Sequence, residues 1–225
     1  MVTHFKDKNV DFKTYPADVI QEELECFDYI IFDYRILECV RNLLGPEFCY
    51  FKDSNIQVGT GHAGYHKDNV SRNNPNHSDW SGDYNVIRMG IYLQDTKNFS
   101  GGISIKKGSH LHVNLSSGKG IIPPLETGDV VFWKLTTTHS GNAKRLIFFP
   151  NTPLYGRIQR NLPGWLFKPT QVNRIALFAT YGKPGIHTDT YINNLKNRTD
   201  SYMQSNSVYT EKAWALANAG NFRLV

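Results

Sequence analysis

Residues 86–93 divide on alternate positions into two sets, Val86, Arg88, Gly90 and Tyr92 against Ile87, Met89, Ile91 and Leu93. Successive side chains of a strand point to opposite faces, so the segment predicts a strand with one apolar face and one mixed face. Such a strand needs a core behind it and partners beside it. Residues 48–51 together with 56–58 read as the first strand, and 103–105, 130–133, 146–149 and 175–181 follow, separated by Gly, Asn and Pro. Short strands at such intervals indicate a mainly β sandwich or barrel, the double-sheet jelly roll included.

Helices are expected at both ends. Residues 16–45 read as helical, with Pro16, Ala17 and Asp18 as a start signal. Within them, 34–44 places Ile36, Leu37, Val40, Leu43 and Leu44 on one face before Gly45-Pro46 stops the run. A tail over 188–225 reads as two helical pieces, around 191–196 and 211–219. Residues 69–85 are polar, turn-rich and aperiodic, and a loop that long in a compact domain predicts a mobile lid. Its Trp80 and Tyr84 either close over a ligand or pack the loop down. With no internal repeat and 225 residues, one domain over 1–225 is expected.

The net charge of +5 and a pI near 9.0 raise the question of a nucleic-acid partner. The basic residues are scattered, with Lys106-Lys107 and Lys144-Arg145 the densest pairs, so nucleic acid is not expected. A mildly basic pocket for an anionic co-substrate accounts for the charge equally well. Cys26, Cys39 and Cys49 form no CxxC pair and read as reduced thiols of a cytoplasmic protein. Residues 1–10 are polar, so no signal peptide is expected. No stretch approaches the roughly 18 apolar residues of a membrane span, so no membrane partner is expected.

The chemistry centres on Tyr65-His66-Lys67-Asp68. On a strand, positions i and i+2 share a face, so His-x-Asp delivers an imidazole and a carboxylate to one point. A third ligand has to come from another strand, and His139, just after the apolar run 130–133, is the candidate. Two His and one carboxylate on one triangular face leave positions open, as in non-haem Fe(II) oxygenases. The motif alone is weak, because His77-Ser78-Asp79 and His187-Thr188-Asp189 repeat it. The former sits in the polar loop, and no histidine follows the latter. Taken singly, His66 and Asp68 also read as a surface pair, and His139 as a satisfied structural histidine.

The surrounding order of segments resembles the phytanoyl-CoA dioxygenase-like (PhyH) family. The resemblance runs through Leu43-Leu44-Gly45-Pro46, Tyr65-His66-Lys67-Asp68 and Gly90-Ile91-Tyr92-Leu93-Gln94-Asp95. It continues through Gly101-Gly102-Ile103, Lys107-Gly108-Ser109-His110, Gly128-Asp129-Val130-Val131-Phe132-Trp133 and His139-Ser140-Gly141-Asn142, about residues 36–182 in all. It implies a cupin-like double-stranded β-helix (a jelly roll) holding Fe(II) on His66, Asp68 and His139. The implied reaction consumes O2, decarboxylates 2-oxoglutarate to succinate and CO2, and hydroxylates a small molecule. Asp68 argues for hydroxylation, because related halogenases replace that carboxylate.

The same resemblance calls for an arginine on the far carboxylate of 2-oxoglutarate. Arg145 lies six residues after His139, closer than the pattern has it, whereas Arg174 leads the apolar run 175–181. Arg174 is preferred, which makes 143–172 an insertion. Gln57 is a further candidate toward 2-oxoglutarate, or a polar strand position facing solvent. Arg88 reads as a surface ion pair before a contact to a substrate anion. His110 and His112 read as structural, and Lys67 as pointing away from the metal. Two other functions fit the same ligands: a jelly-roll binding protein without turnover, and a zinc hydrolase. Neither the substrate nor the oligomeric state is legible.

Overall fold

The computed structural model describes residues 12–17, 28–59, 64–154, 156–170, 174–197 and 209–225. Its organising strand is β9 (Ile175–Gly182), labelled by its place in chain order. One edge of β9 pairs antiparallel with β4 (Val86–Tyr92), from Val86 opposite Gly182 to Tyr92 opposite Ala176. The other edge is shared, with β3 (Ser54–Gly59) on its first half and β2 (Cys49–Tyr50) at its end. Outside these lie β1 (Phe12–Ala17) against β3, β7 (Val130–Lys134) against β4, and β10 (Arg223–Leu224) parallel to β2. A second antiparallel sheet runs β6 (Lys119–Ile121), β5 (Gly102–Lys107), β8 (His139–Ala143). The fold is the mainly β jelly roll, a double-stranded β-helix.

The alternation of β4 assigns its two faces. Ile87, Met89 and Ile91 join Ile56, Leu177, Ala179 and Tyr181 in a core on the outer side of the large sheet. That core is covered by α1 (Asp28–Ile31), α2 (Tyr34–Leu44) and α5 (Glu211–Ala219). The opposite face turns Tyr92, Trp133, Ala176 and Phe178 inward, where Ile103 of β5 meets them. A third cluster packs Tyr191, Ile192 and Leu195 of α4 (Ile186–Asn197) on Phe51, Val86 and Leu135. In α2 the Asp33 side chain caps by accepting from the Arg35 amide at 2.9 Å. Its buried residues are Ile36, Leu37, Val40 and Leu44, whereas Leu43 is 56% exposed.

Three expectations are corrected. Pro16 and Ala17 end a strand rather than start a helix. The strand β1 has one partner, β3, and proline, which donates no ladder bond, is tolerated on an edge. The rest of that expected helix up to Asp28 lies outside the described residues. The presumed first strand is two, β2 and β3, which occupy one edge of β9 in succession. Residues 146–149 form no strand. Leu146 makes one isolated bridge to Phe167, and the apolar residues after it face outward. Between β8 and β9 lies instead the short helix α3 (Gly156–Asn161).

Leu177 is 1% exposed at the centre of the outer core. Leu177→Ala is expected to destabilise the fold by about 2–5 kcal/mol, the usual range for such a cavity. A denaturant titration followed by far-UV circular dichroism measures it.

Candidate metal centre

Residues 66–68 run beside the start of β8 as a short extended segment. His66 donates its amide to the His139 carbonyl at 2.9 Å, and His139 returns a bond of 3.0 Å to the His66 carbonyl. The Asp68 amide donates to Leu135 at 2.9 Å. These bonds hold the motif extended, so His66 and Asp68 share a face, and His139 is the residue directly opposite. The Asp68 carboxylate lies 3.6 Å from His66 Nε2 and 3.5 Å from His139 Nε2. The ligand atoms of all three lie within 4.8 Å of one another, the one such cluster among the described residues.

Each imidazole is oriented by its own backbone. His66 Nδ1 lies 2.9 Å from the Gly64 carbonyl, and His139 Nδ1 lies 3.0 Å from that of Thr137. A carbonyl only accepts, so Nδ1 carries the proton and each Nε2 offers its lone pair. Burial lowers the His139 pKa to about 4, keeping the ring neutral and ready to coordinate at neutral pH. For Asp68, burial opposes the charge, but His139, Arg88 and His66 outweigh it and hold the carboxyl below its ordinary range.

Lys67, between the ligands, points to the opposite side, as expected of an alternating segment. It is wholly buried. Its ammonium donates to the carbonyls of Ser109 at 2.8 Å and Thr136 at 2.5 Å, and stands 5.3 Å over the Trp80 ring. Burial, with Lys106 second, lowers its pKa to about 8. The central residue of the motif thus pins the 66–68 segment to two neighbouring turns.

Beside the triad lies a cavity of about 180 Å³, lined by Gln57, Arg88, Tyr92, Ile103, Trp133 and Phe178 among others. Gln57 comes from the inward face of β3. Arg88 is no surface residue, since its side chain is 15% exposed. It forms an ion pair with Asp53, donates to Thr180 at 3.2 Å and Tyr191 at 3.1 Å, and approaches Asp68 at 3.5 Å. Tyr191 and Thr180 also donate to the Asp53 carboxylate, each at 2.8 Å.

The two candidate arginines differ in what they touch. Arg145 is 1% exposed, and its fork donates to the carbonyls of Thr96, Ile122, Pro123 and Pro150 and to Asn151. Each of its three nitrogens has at least one acceptor. Arg174, 2% exposed, gives Nε to the Gly101 carbonyl at 2.6 Å and Nη1 to that of Gly59 at 3.0 Å. It stacks 5.4 Å over the Tyr92 ring. Its Nη2 is buried without a partner among the described residues, as are the Tyr92 hydroxyl and the Trp133 indole N–H. Tyr92 and Trp133 line the cavity, and Arg174 stands behind Tyr92, against its ring.

Other expectations fall away from the site. Trp80 and Tyr84 do not line the cavity. The Trp80 indole donates to Asn74 at 2.7 Å, and Tyr84 is 2% exposed and stacked 5.0 Å from His187. Both pack the 69–85 loop against the barrel, so the lid reading finds no support in its contacts. In the second His-x-Asp, His77 and Asp79 pair with each other at 3.0 Å. His187 is buried against Tyr84. His110 is half-buried and His112 exposed. Sequence reasoning did not single out Asp53 and Tyr191. They are separated from Arg88 by 35 and 103 positions, and no local pattern links them.

No family model matches the chain, and no curated protein matches it. Solved structures do. A non-heme monooxygenase, the ThoJ-Ni complex, is 16% identical with a TM-score of 0.50, over 92% of this chain and 76% of that one. The epimerase SnoN in complex with Fe3+, alpha ketoglutarate and nogalamycin RO is 16% identical with a TM-score of 0.51, over 89% and 73%. EvdMO1 is 13% identical with a TM-score of 0.51, over 82% of this chain and 42% of its own. This chain therefore spans less than two thirds of some of these proteins. At such identity the shared property is the fold.

Asp53 holds the Arg88 fork that otherwise leans on the metal-facing carboxylate. Asp53→Asn is expected to weaken Co(II) binding by roughly tenfold to a hundredfold, the usual cost of losing a partner behind a ligand. Titration of the cobalt absorption bands measures it, and an unchanged affinity would show that the network does not act on Asp68.

Proposed function

We propose that the chain is an Fe(II)/2-oxoglutarate-dependent oxygenase of the phytanoyl-CoA dioxygenase-like type, hydroxylating a small molecule. The observation that carries this reading is the occurrence of two features at one cavity wall, the second of them behind Tyr92. One is an open His-Asp-His face, and the other is a buried arginine with a spare donor. A zinc hydrolase needs the first but has no use for the second. A binding protein without turnover has no need of two imidazoles fixed with Nε2 toward a carboxylate.

In this reading His66, Asp68 and His139 hold the metal. Arg174, through Nη2, takes the far carboxylate of 2-oxoglutarate, with Gln57 as a second donor at the cavity wall. A guanidinium suits that task because its planar fork matches a carboxylate and stays charged when buried. When bound, iron, 2-oxoglutarate and O2 together supply the oxidising power, with succinate and CO2 as by-products. The residues of the chain prepare the place for it. Tyr92, Ile103, Trp133 and Phe178 keep bulk water from the cavity, which strengthens every charge interaction inside it. The Nδ1 bonds fix both imidazoles before the metal arrives. The exposed Cys39 and buried Cys49 are free thiols, which supports the cytoplasmic setting, while Cys26 lies outside the described residues. Among the described residues no helix is long and apolar enough to cross a membrane.

Two measurements test the reading. The purified chain with Fe(II) is expected to convert 2-oxoglutarate to succinate slowly without substrate, and His139→Ala to abolish this; no succinate under any metal loading would sink the oxygenase. In equilibrium dialysis of the metal-loaded chain, Arg174→Ala is expected to weaken 2-oxoglutarate binding by two to three orders of magnitude. That corresponds to the about 3–5 kcal/mol cost of stranding a buried charge. Arg145→Ala leaves the cavity donors in place and is expected to act on stability instead. The reverse ranking would transfer the co-substrate role to Arg145.

A further inference from the structure

The acid-free middle of this chain carries an exposed aromatic tip. No Asp or Glu occurs between Asp129 and Asp189, whereas Lys144, Arg145, Arg157, Arg160 and Lys168 all fall within 143–172. In the same segment Ile147, Phe148, Phe149 and Trp165 are 47%, 74%, 66% and 71% exposed. They sit at one end of a short ladder. Lys168 donates its amide to the Arg145 carbonyl at 2.8 Å, Leu146 bridges Phe167, and Ile147 donates to the Leu166 carbonyl at 3.0 Å. Phe148 and Phe149 follow on one side, and Trp165, in the 3-10 turn Gly164–Leu166, on the other. Single exposed apolar residues are ordinary, but a cluster of this kind marks an interaction surface.

The base of the ladder is rigid. Arg145 carries no counter-charge and spends its buried fork on both flanks of the tip. It donates to Thr96, Ile122 and Pro123 on one side, and to Pro150 and Asn151, immediately after Phe149, on the other. The tip is thus pre-ordered, which removes an entropic cost from docking. The cations are set back from it. Lys144 lies 5.5 Å over the Phe167 ring, at the base of the ladder, and Lys168 is beside it. Four residues of chain separate Lys144 from Phe148, and three separate Trp165 from Lys168.

We propose that this tip docks the protein on the surface of an anionic lipid bilayer. Phe148, Phe149 and Trp165 would enter the headgroup–acyl boundary, and Lys144 and Lys168 would stay at the phosphates. Interfacial segments bury their apolar side by ~5–10 Å, aromatic residues favour that depth, and basic residues favour the phosphates outside it. The sequence expectation of no membrane partner rested on the lack of a span, and surface docking needs none. A second copy of this face would bring lysines against lysines with no acid within 143–172 to offset them. A nucleic acid would use the lysines and leave two phenylalanines in water.

The test is co-sedimentation of the full chain with vesicles of phosphatidylcholine alone and of phosphatidylcholine mixed with phosphatidylglycerol. Binding is expected to the mixed vesicles and to be at least tenfold weaker on neutral ones. Phe148→Ser with Phe149→Ser, and separately Lys144→Glu with Lys168→Glu, are each expected to reduce it at least tenfold. These substitutions lie at the surface, and unchanged circular dichroism and Co(II) binding report that the variants are folded. A blue shift of fluorescence on vesicle addition, lost in Trp165→Phe, places the tip in the boundary. Three outcomes overturn the proposal. One is no sedimentation with mixed vesicles. Another is sedimentation that survives the double Phe→Ser change, which would leave only charge and point to a polyanion. The third is a dimer in sedimentation velocity that the Phe→Ser variant dissociates, which would make a second copy the occupant.

Discussion

Two reciprocal backbone hydrogen bonds between His66 and His139 govern the candidate site. They join residues 73 positions apart in sequence (139 − 66) and place one imidazole directly across from the other. Everything else about the triad follows from strand geometry. Asp68 reaches the same point because it is two residues from His66, and Lys67 leaves it because it is one. A shift of one residue in this pairing would exchange the carboxylate for the ammonium. The register is secured from the back, where the buried Lys67 ammonium finds its two carbonyls. Its depressed pKa is the mark of the desolvation that this anchoring costs.

The interior of this protein holds several cations and few anions. Lys67, Lys106, Arg145 and Arg174 are all at most 3% exposed, and each donates to backbone carbonyls. Lys67 directs its donors at two turns, Lys106 at Leu115 and Ser116, Arg145 at three segments, and Arg174 at Gly101 and Gly59. Carbonyl oxygens lend partial charge without adding a second titratable group, so the lysines hold their charge against burial alone, and the Lys67 ammonium gives it up as pH rises past about 8. Arg174 breaks the pattern. It alone of the four keeps a buried donor without an acceptor, and it does so beside a cavity. The contrast with Arg145, rather than the position of either in sequence, makes Arg174 the better partner for an anion.

How much of this was legible in the chain depends on distance. The alternation at 86–93, the helix at 34–44 and the helix at 211–219 are local signals, and each formed. The His-x-Asp spacing is local too, and of its three copies the first is the one that the fold sets opposite a further histidine. Residues 146–149 carried an equally apolar signal and formed no strand, because only Leu146 and Ile147 bond to the facing segment, and the side chains from Ile147 on face outward. Conversely, β8, with the sequence His-Ser-Gly-Asn-Ala, has no apolar alternation and is a strand because β5 pairs with it. The Asp53–Arg88–Tyr191 network joins three distant segments, and its members look like ordinary surface residues until the sheet closes over them.

The two faces of the large sheet divide the work of the protein between alternate residues of the same strands. On β4, Met89 faces the helices and is buried among apolar side chains, while Arg88 and Tyr92 on either side face the cavity. On β9, Leu177 and Ala179 belong to the helical core, whereas Phe178 lines the cavity and Thr180 bonds Asp53. Neighbouring positions therefore act through different free energies. Removing the outward set withdraws apolar burial from a cooperative core and is felt as stability. Changing the inward set alters charge, donors and shape around the metal, while the outer core stays intact. Because β9 pairs with both β4 and β3, a displacement of its backbone would move Gln57, Arg88 and Arg174 together. The core packed on its outer side is thus also what keeps the His-Asp-His face and Arg174 at a fixed separation.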